Sequence, residues 1–416
     1  MRRLIIIVTL LSLFFTFYLI LAKKYPSPLS IQSMNKNGIE VDMPDNGLSK
    51  EDKHGKEAHE IISDMTLDEK IGQLIVGGID TPELTEDTKK LLHTYKLGGF
   101  ILFSRNLREP EQSLQLISDL KNENSHDQLP LFLSVDQEGG KVVRLPNLKP
   151  LKSNWEIGEF YQENIAFETG KVLGRQLKEF GLNMNFAPVI DINSNPDNPV
   201  IGARAFGSDK YLVSELGIEM MKGMHNENVI AVVKHFPGHG DTSIDSHEDL
   251  PKVDKNYEEL NEIELFPFNE AINAGAEAIM TAHILLPNVD SQYPATLSET
   301  IITGILRENL GFEGVIITDD LTMGAILKTY EIGEAAVMAI EAGADIVLIA
   351  HQYENVIEVF NALKEAVKAG RLNEERVDES LFRILTLKGK YDIQDNVLKN
   401  INVEKLNKDI DNLYKN

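Results

Sequence analysis

Apolar residues occur along this chain in short runs, separated by longer stretches where they recur at helical spacing. The runs cover residues 74–79, 99–103, 131–135, 184–192, 229–235, 276–282, 314–319 and 344–349. Several are continuous in Val, Ile and Leu and lack the alternation of a half-exposed strand, which is the look of parallel strands covered on both faces. Segments 159–180, 213–226, 257–274 and 332–342 between them are long enough for crossover helices. This order predicts an α/β fold, a (β/α)8 TIM-type barrel over residues 57–395 with enlarged loops. A doubly wound open sheet is the alternative arrangement of the same units.

The ends of the chain have a different pattern. Arg2-Arg3 precedes an apolar run over 4–22 and then Lys23-Lys24. At about 1.5 Å per helical residue such a run reaches across roughly the hydrocarbon core of a bilayer. Residues 1–24 are therefore expected to form a transmembrane signal anchor, or a signal peptide removed after export. Leu21-Ala22-Lys23 offers no clear cleavage pattern. Residues 25–56 are rich in Pro, Ser, Asn, Asp and Lys and read as a polar tether. Residues 396–416 read as a charged, helical C-terminal tail. The expected location is extracytoplasmic, at the cell surface, with membrane contact through the N-terminal helix alone.

A net charge of -24 argues against a nucleic-acid partner, because phosphate backbones need a basic surface. The absence of cysteine excludes disulfides, thiolate metal sites and cysteine nucleophiles.

In a barrel of this kind catalysis sits at the carboxyl ends of the strands, and titratable groups close five consecutive runs. The third is followed by Asp136-Gln137-Glu138-Gly139-Gly140 and Arg144, and the fourth ends in Asp191, with Arg204 in its loop. Lys234-His235, His283 and Asp319-Asp320 follow on the next three. Fixed groups of both signs suit a hydroxyl-rich ligand whose donors and acceptors must be paired on burial. For a sugar, Asp319 can attack the anomeric carbon while a second group protonates the leaving oxygen. The segment 234–247 supplies a candidate, His247, two residues after Asp245. A histidine can donate in one step and accept in the next, and a neighbouring carboxylate orients its ring. Pro237, Gly238 and Gly240 make this segment a bendable arm that could fold over the mouth.

Lys234-His235-Phe236-Pro237-Gly238-His239-Gly240 with Asp245-Ser246-His247 resembles the signature of bacterial β-N-acetylglucosaminidases of glycoside hydrolase family 3. Residues 136–145 resemble the family's substrate-binding segment, with Lys141 where arginine is commoner. Residues 186–191, 201–207 and 317–323 match as well, and the similarity covers roughly residues 57–390. The resemblance implies a retaining exo-enzyme with Asp319 as nucleophile and His247, oriented by Asp245, as general acid/base. It implies that Asp136, Arg144, Arg204, Lys234 and His235 bind the non-reducing N-acetylglucosamine. The implied substrates are N-acetylglucosaminyl-β-1,4-(anhydro)muramyl fragments of peptidoglycan, in cell-wall turnover, with no cofactor and no metal, and the enzyme is expected to act as a monomer. Adjacent strand residues point to opposite sides, so Asp320 is expected to be structural. A β-glucosidase, or a phosphorylase using phosphate as acceptor, fits the same scaffold. From other classes, a metal-dependent hydrolase using His235, His239, Asp241, His247 and His283, or a non-catalytic wall-binding protein, are the rivals.

Overall fold

The computed structural model describes residues 50–125, 129–160, 162 and 164–415. The apolar segment 1–24 and most of the expected tether lie outside them. Among the described residues no helix is long and apolar enough to cross a membrane. Helix Lys50–Asp64 already covers the last part of the segment expected as tether.

Eight parallel strands close into a barrel in chain order: β1 (Ile75–Gly78), β2 (Gly99–Ile101), β3 (Phe132–Val135), β4 (Met184–Asn185), β5 (Ile230–Phe236), β6 (Ala278–Thr281), β7 (Val315–Asp320) and β8 (Ile346–Ile349). Ile75, Val76 and Gly77 of β1 pair with Val347, Leu348 and Ile349 of β8, which closes the ring. Six strands fall inside their apolar runs, and β5 and β7 each run one residue past the end of theirs, at Phe236 and Asp320. The strands are buried almost throughout, which is why the runs lack alternation.

Two elements differ from the pattern, each at a proline. β4 is only two residues long, because Pro188 has no N–H for the ladder. The chain beyond it still tracks β5 through a bridge between Val189 and Lys234. The helix expected over 257–274 is two helices, Tyr257–Glu262 and Phe266–Asn273, the second starting beside Pro267. Helices Ile165–Phe180 and Lys210–Asn226 pack closely because Gly170 has no side chain; a Cβ there would lie 2.1 Å from the Met220 carbonyl oxygen.

Helix Val403–Leu413 packs on helix Ile165–Phe180 through buried Leu406 and Ile410. Arg175–Asp409 and Lys405–Glu179 pairs flank it at 3.2 and 3.4 Å. Exposed pairs contribute about 0–1 kcal/mol each, against roughly 1.5–3 kcal/mol for burying one large aliphatic side chain, so the apolar contact dominates.

Candidate active site

The carboxyl ends of β3, β4 and β5 deliver an ion network to the barrel mouth. Asp136 and Glu138 are two residues apart just beyond β3. Lys234 reaches both, with Nζ 2.7 Å from Asp136 Oδ1 and 2.8 Å from Glu138 Oε1. Arg204 binds Glu138 in a bidentate fork, donating from Nε at 2.9 Å and Nη2 at 2.7 Å, and Arg144 Nη2 lies 3.7 Å from Asp136 Oδ2. Burial pushes the Glu138 carboxyl upward, but Arg204 and Lys234 outweigh it and hold the group well below the usual carboxylate range. Burial opposes the charge on Lys234 too, and Asp136 and Glu138 overcome it, so its pKa is raised. Within this network Lys234, Arg204 and Arg144 outnumber the two carboxylates by one charge, which the carboxylate of Asp319 across the cavity balances.

His235 is fixed from two sides. Its Nδ1 lies 2.7 Å from Asp191 Oδ2, and Arg204 Nη2 lies 3.3 Å from its Nε2. A guanidinium can only donate, so Nε2 accepts and the ring proton sits on Nδ1, facing Asp191. The chain's path beyond Pro188 brings Asp191 to this position. Burial pushes the Asp191 carboxyl up, yet His235 and the His239 N–H, donating at 2.6 Å, bring it below its ordinary value. Lys234 and His235 are neighbours that both reach the site because the β5–β6 pairing shifts register between Val233 and Phe236. The peptide bond joining them is cis.

Asp319 closes the site from β7. It lines a cavity of about 350 Å3 together with Asp136, Arg204, Lys234, His235 and His247. Burial works to raise its pKa, but His283, His235, a backbone N–H and Lys234 outweigh it and keep the group ionised. Of these the Asp320 N–H and Lys234 act at every relevant pH; a histidine contributes its charge only when both ring nitrogens are protonated, and burial pushes His283 down. Asp320 also edges this cavity, but its carboxylate is engaged by protein: it accepts from Thr322 N and Oγ1 at 3.0 and 2.5 Å and from Ala350 N at 2.9 Å.

The loop after β5 brings the remaining pair. His247 Nδ1 lies 2.7 Å from Asp245 Oδ1, which also accepts from the His247 backbone N–H at 2.9 Å. Burial favours a protonated Asp245, but the hydrogen bonds from His247 lower its pKa. His247 keeps Nε2 free of this pair and remains exposed. Instead of hanging as a loose arm, the loop docks on the turn after β7. The His247 and Ser246 carbonyls accept from Gly324 N at 3.3 Å and Ala325 N at 3.2 Å. A Cβ on Gly324 would lie 2.6 Å from the His247 oxygen, so only glycine allows this approach.

With this geometry in place, the comparisons with known proteins are decisive. Residues 66–387 match the model of the glycosyl hydrolase family 3 N terminal domain. The chain belongs to glycosyl hydrolase family 3. It is 37% identical over 334 residues to beta-hexosaminidase A of Pseudoalteromonas piscicida, covering 74% of this chain and 55% of that protein. The chain thus spans about half the length of that relative. It is 32% identical to the beta-hexosaminidase of Methylobacillus flagellatus, over 73% of this chain and 87% of the relative. The solved family 3 beta-N-acetylglucosaminidase of Paenibacillus sp. str. FPU-7 superposes with a TM-score of 0.81 at 43% identity, covering 84% of this chain and 68% of that one.

In this family 3 barrel all eight residues singled out in the sequence come to one end. Asp136, Arg144, Arg204, Lys234, His235, His247 and Asp319 line one cavity, and Asp245 holds His247 from behind. Asp191 and Glu138 stand among the polar groups expected at the mouth but without a role of their own, although each fixes two or more others. The spacing of Asp136 and Glu138 was the available signal, since residues two apart in extended chain share a side. The groups of the metal reading do not converge. His235 is held by Asp191, His239 by Thr242 and Ser246, His283 by Thr296 and the Asp320 carbonyl, and Asp241 pairs with Lys255. Among the described residues no three His, Asp or Glu side chains are grouped to hold a metal.

Proposed function

We propose that this domain is a retaining exo-β-N-acetylglucosaminidase that removes terminal β-1,4-linked N-acetylglucosamine from peptidoglycan fragments. The observation that carries the reading is the ionised Asp319 sharing one cavity with the Asp136–Lys234–Glu138–Arg204 network and with His247. The network supplies fixed donors and acceptors for sugar hydroxyls. Asp319 attacks the anomeric carbon; the glycosidic C–O bond breaks, and His247 gives its proton to the leaving oxygen. In the second step His247 takes a proton from water, which attacks the same carbon and releases Asp319. Asp245 steadies the imidazolium. The names of the relatives support the hexosaminide, and the resemblance of residues 234–247 supports the wall-fragment substrate. On the support of the basic and apolar residues 2–24, we read the domain as working outside the cytoplasmic membrane.

The deciding assay compares hydrolysis of aryl β-N-acetylglucosaminide with the matching β-glucoside. The reading expects a preference for the acetamido sugar of at least about tenfold in kcat/KM, worth ~1.4 kcal/mol of differential transition-state binding. Equal rates would sink it in favour of a β-glucosidase. Faster turnover in phosphate, with sugar 1-phosphate as product, would make the enzyme a phosphorylase.

A further inference from the structure

We propose that His239 is a positioning residue whose imidazole clips together the two ends of the 239–247 loop and so holds the Asp245–His247 pair over the sugar pocket. The inference rests on the acid/base reading of His247 given above.

His239 is buried, 1% exposed, and both ring nitrogens are occupied. Nδ1 lies 2.8 Å from Thr242 Oγ1 and Nε2 lies 3.0 Å from Ser246 Oγ. A rigid planar ring thus sets the separation of two hydroxyls that belong to opposite ends of the loop. Ser246 is the residue between Asp245 and His247, so fixing it fixes the pair on either side. Its carbonyl is held as well, by Ala325 N at 3.2 Å. The near end is clamped by Asn198, whose amide donates to the carbonyls of His239 and Gly240 at 2.9 and 3.1 Å and to Thr242 Oγ1 at 3.2 Å. The His239 N–H is bound to Asp191, which also carries His235. Burial, with help from the nearby His235, lowers the His239 pKa to about 4. The ring is then neutral at physiological pH, with one donor and one acceptor for its two hydroxyl partners. Neither nitrogen is left for the substrate, although the ring edges the cavity.

A path therefore runs from the sugar-binding end of the segment to its acid end: the His239 N–H bonds to Asp191, the His239 ring bonds to Ser246, and the peptide bond joins Ser246 to His247. Removing the clip should leave the nucleophile and the sugar network intact and disorder the proton donor alone. That defect has a signature different from general damage. It appears on substrates whose leaving group needs a proton and not on those whose leaving group departs as an anion.

The test measures kcat/KM for His239→Gln, His239→Ala, Ser246→Ala and His247→Ala on 2,4-dinitrophenyl β-N-acetylglucosaminide and on chitobiose. Ser246→Ala is the mildest change, removing one hydroxyl from the clip. General acid catalysis contributes about 10²–10⁴-fold, so a mispositioned acid should cost about 10–100-fold on chitobiose and at most about threefold on the activated glycoside. His239→Gln, whose amide can still reach Ser246, should recover part of what His239→Ala loses. Circular dichroism and melting curves check that each variant is folded. Two results would overturn the clip while His247→Ala keeps its leaving-group dependence: wild-type rates on chitobiose in both Ser246→Ala and His239→Ala, or equal losses on the two substrates in folded variants. If His247→Ala itself loses the same factor on both, the acid assignment fails and the clip falls with it.

Discussion

The two ends of this barrel each bury charge, and they do it to opposite effect. At the amino end, Asp345 just before β8 is fully buried and its carboxylate is shared among Arg307, Arg383 at 3.1 Å, Arg376 at 3.5 Å, Ser380 Oγ at 2.9 Å and Ile316 N at 2.9 Å. Every lone pair of that carboxylate is consumed by protein, so the cluster fastens strands and helices and offers nothing to a ligand. At the carboxyl end, Asp136, Glu138, Lys234 and Arg204 are paired as tightly, but beside a cavity where Asp319 accepts a hydrogen bond on Oδ1 and, among the described residues, none on Oδ2. Ion pairs alone therefore do not distinguish a fastening from a site. The difference is whether some polar valence is left facing space.

Substitutions can set the two ends against each other. Asp319→Asn should reduce turnover on every substrate by roughly 10³-fold or more, since it removes the group proposed to bond to the reacting carbon, while stability shifts by no more than about 1 kcal/mol. Steady-state rates and thermal unfolding of one preparation would show both. Asp345→Ala is the mirror image: it leaves three guanidiniums without their carboxylate and should cost about 3–5 kcal/mol in denaturant unfolding. The folded fraction should retain wild-type kcat, and a selective loss of kcat would break the contrast.

Glu138→Gln lies between these extremes, because Glu138 both fastens and serves the cavity. It should lower kcat/KM by about thirtyfold, equivalent to ~2 kcal/mol, and reduce stability by a similar amount. The sign of its pH dependence follows from the lowered pKa. The stability it contributes is complete above the unfolded value near ~4.3 and is lost as pH falls toward the lower folded value. The gap between wild type and variant should thus be constant from pH 6 to 8 and shrink in acid.

The smallest expected effect concerns Lys388, buried at the amino end with Nζ 2.7 Å from Gln73 Oε1 and 4.7 Å from the Phe132 ring centre. Burial lowers its pKa to about 7. Between that value and roughly 10.4 the unfolded chain binds the extra proton, so wild-type stability rises with pH across this window. Lys388→Met should be more stable than wild type by about 1 kcal/mol at pH 6, with the advantage gone near pH 8 and reversed by pH 9. An advantage independent of pH would place the effect in packing alone.

Much of this contrast was legible in the chain itself. Eight strands buried on both faces leave eight largely apolar runs, and the titratable groups closing five of them fall by geometry at the mouth. Asp319, Lys234 and Asp245-x-His247 were readable for that reason. Contacts made between segments far apart in sequence were not. Asp191 orients a histidine 44 residues away, and Glu138 works only through the cations that reach it from Arg204 and Lys234. The loop after β5 carries the glycines of a hinge, and nothing local to it reports the amides of Gly324 and Ala325 on which it rests.

That docking has a consequence for tolerance to motion. The proposed nucleophile belongs to β7, and the proposed acid rests on the turn that leaves β7, at Gly324. Both reacting groups therefore take their reference from one stretch of backbone, residues 319–324. A shift of that stretch carries both groups together, which preserves the gap across which a sugar must fit. A stretch of six residues acts as the gauge block of the reaction.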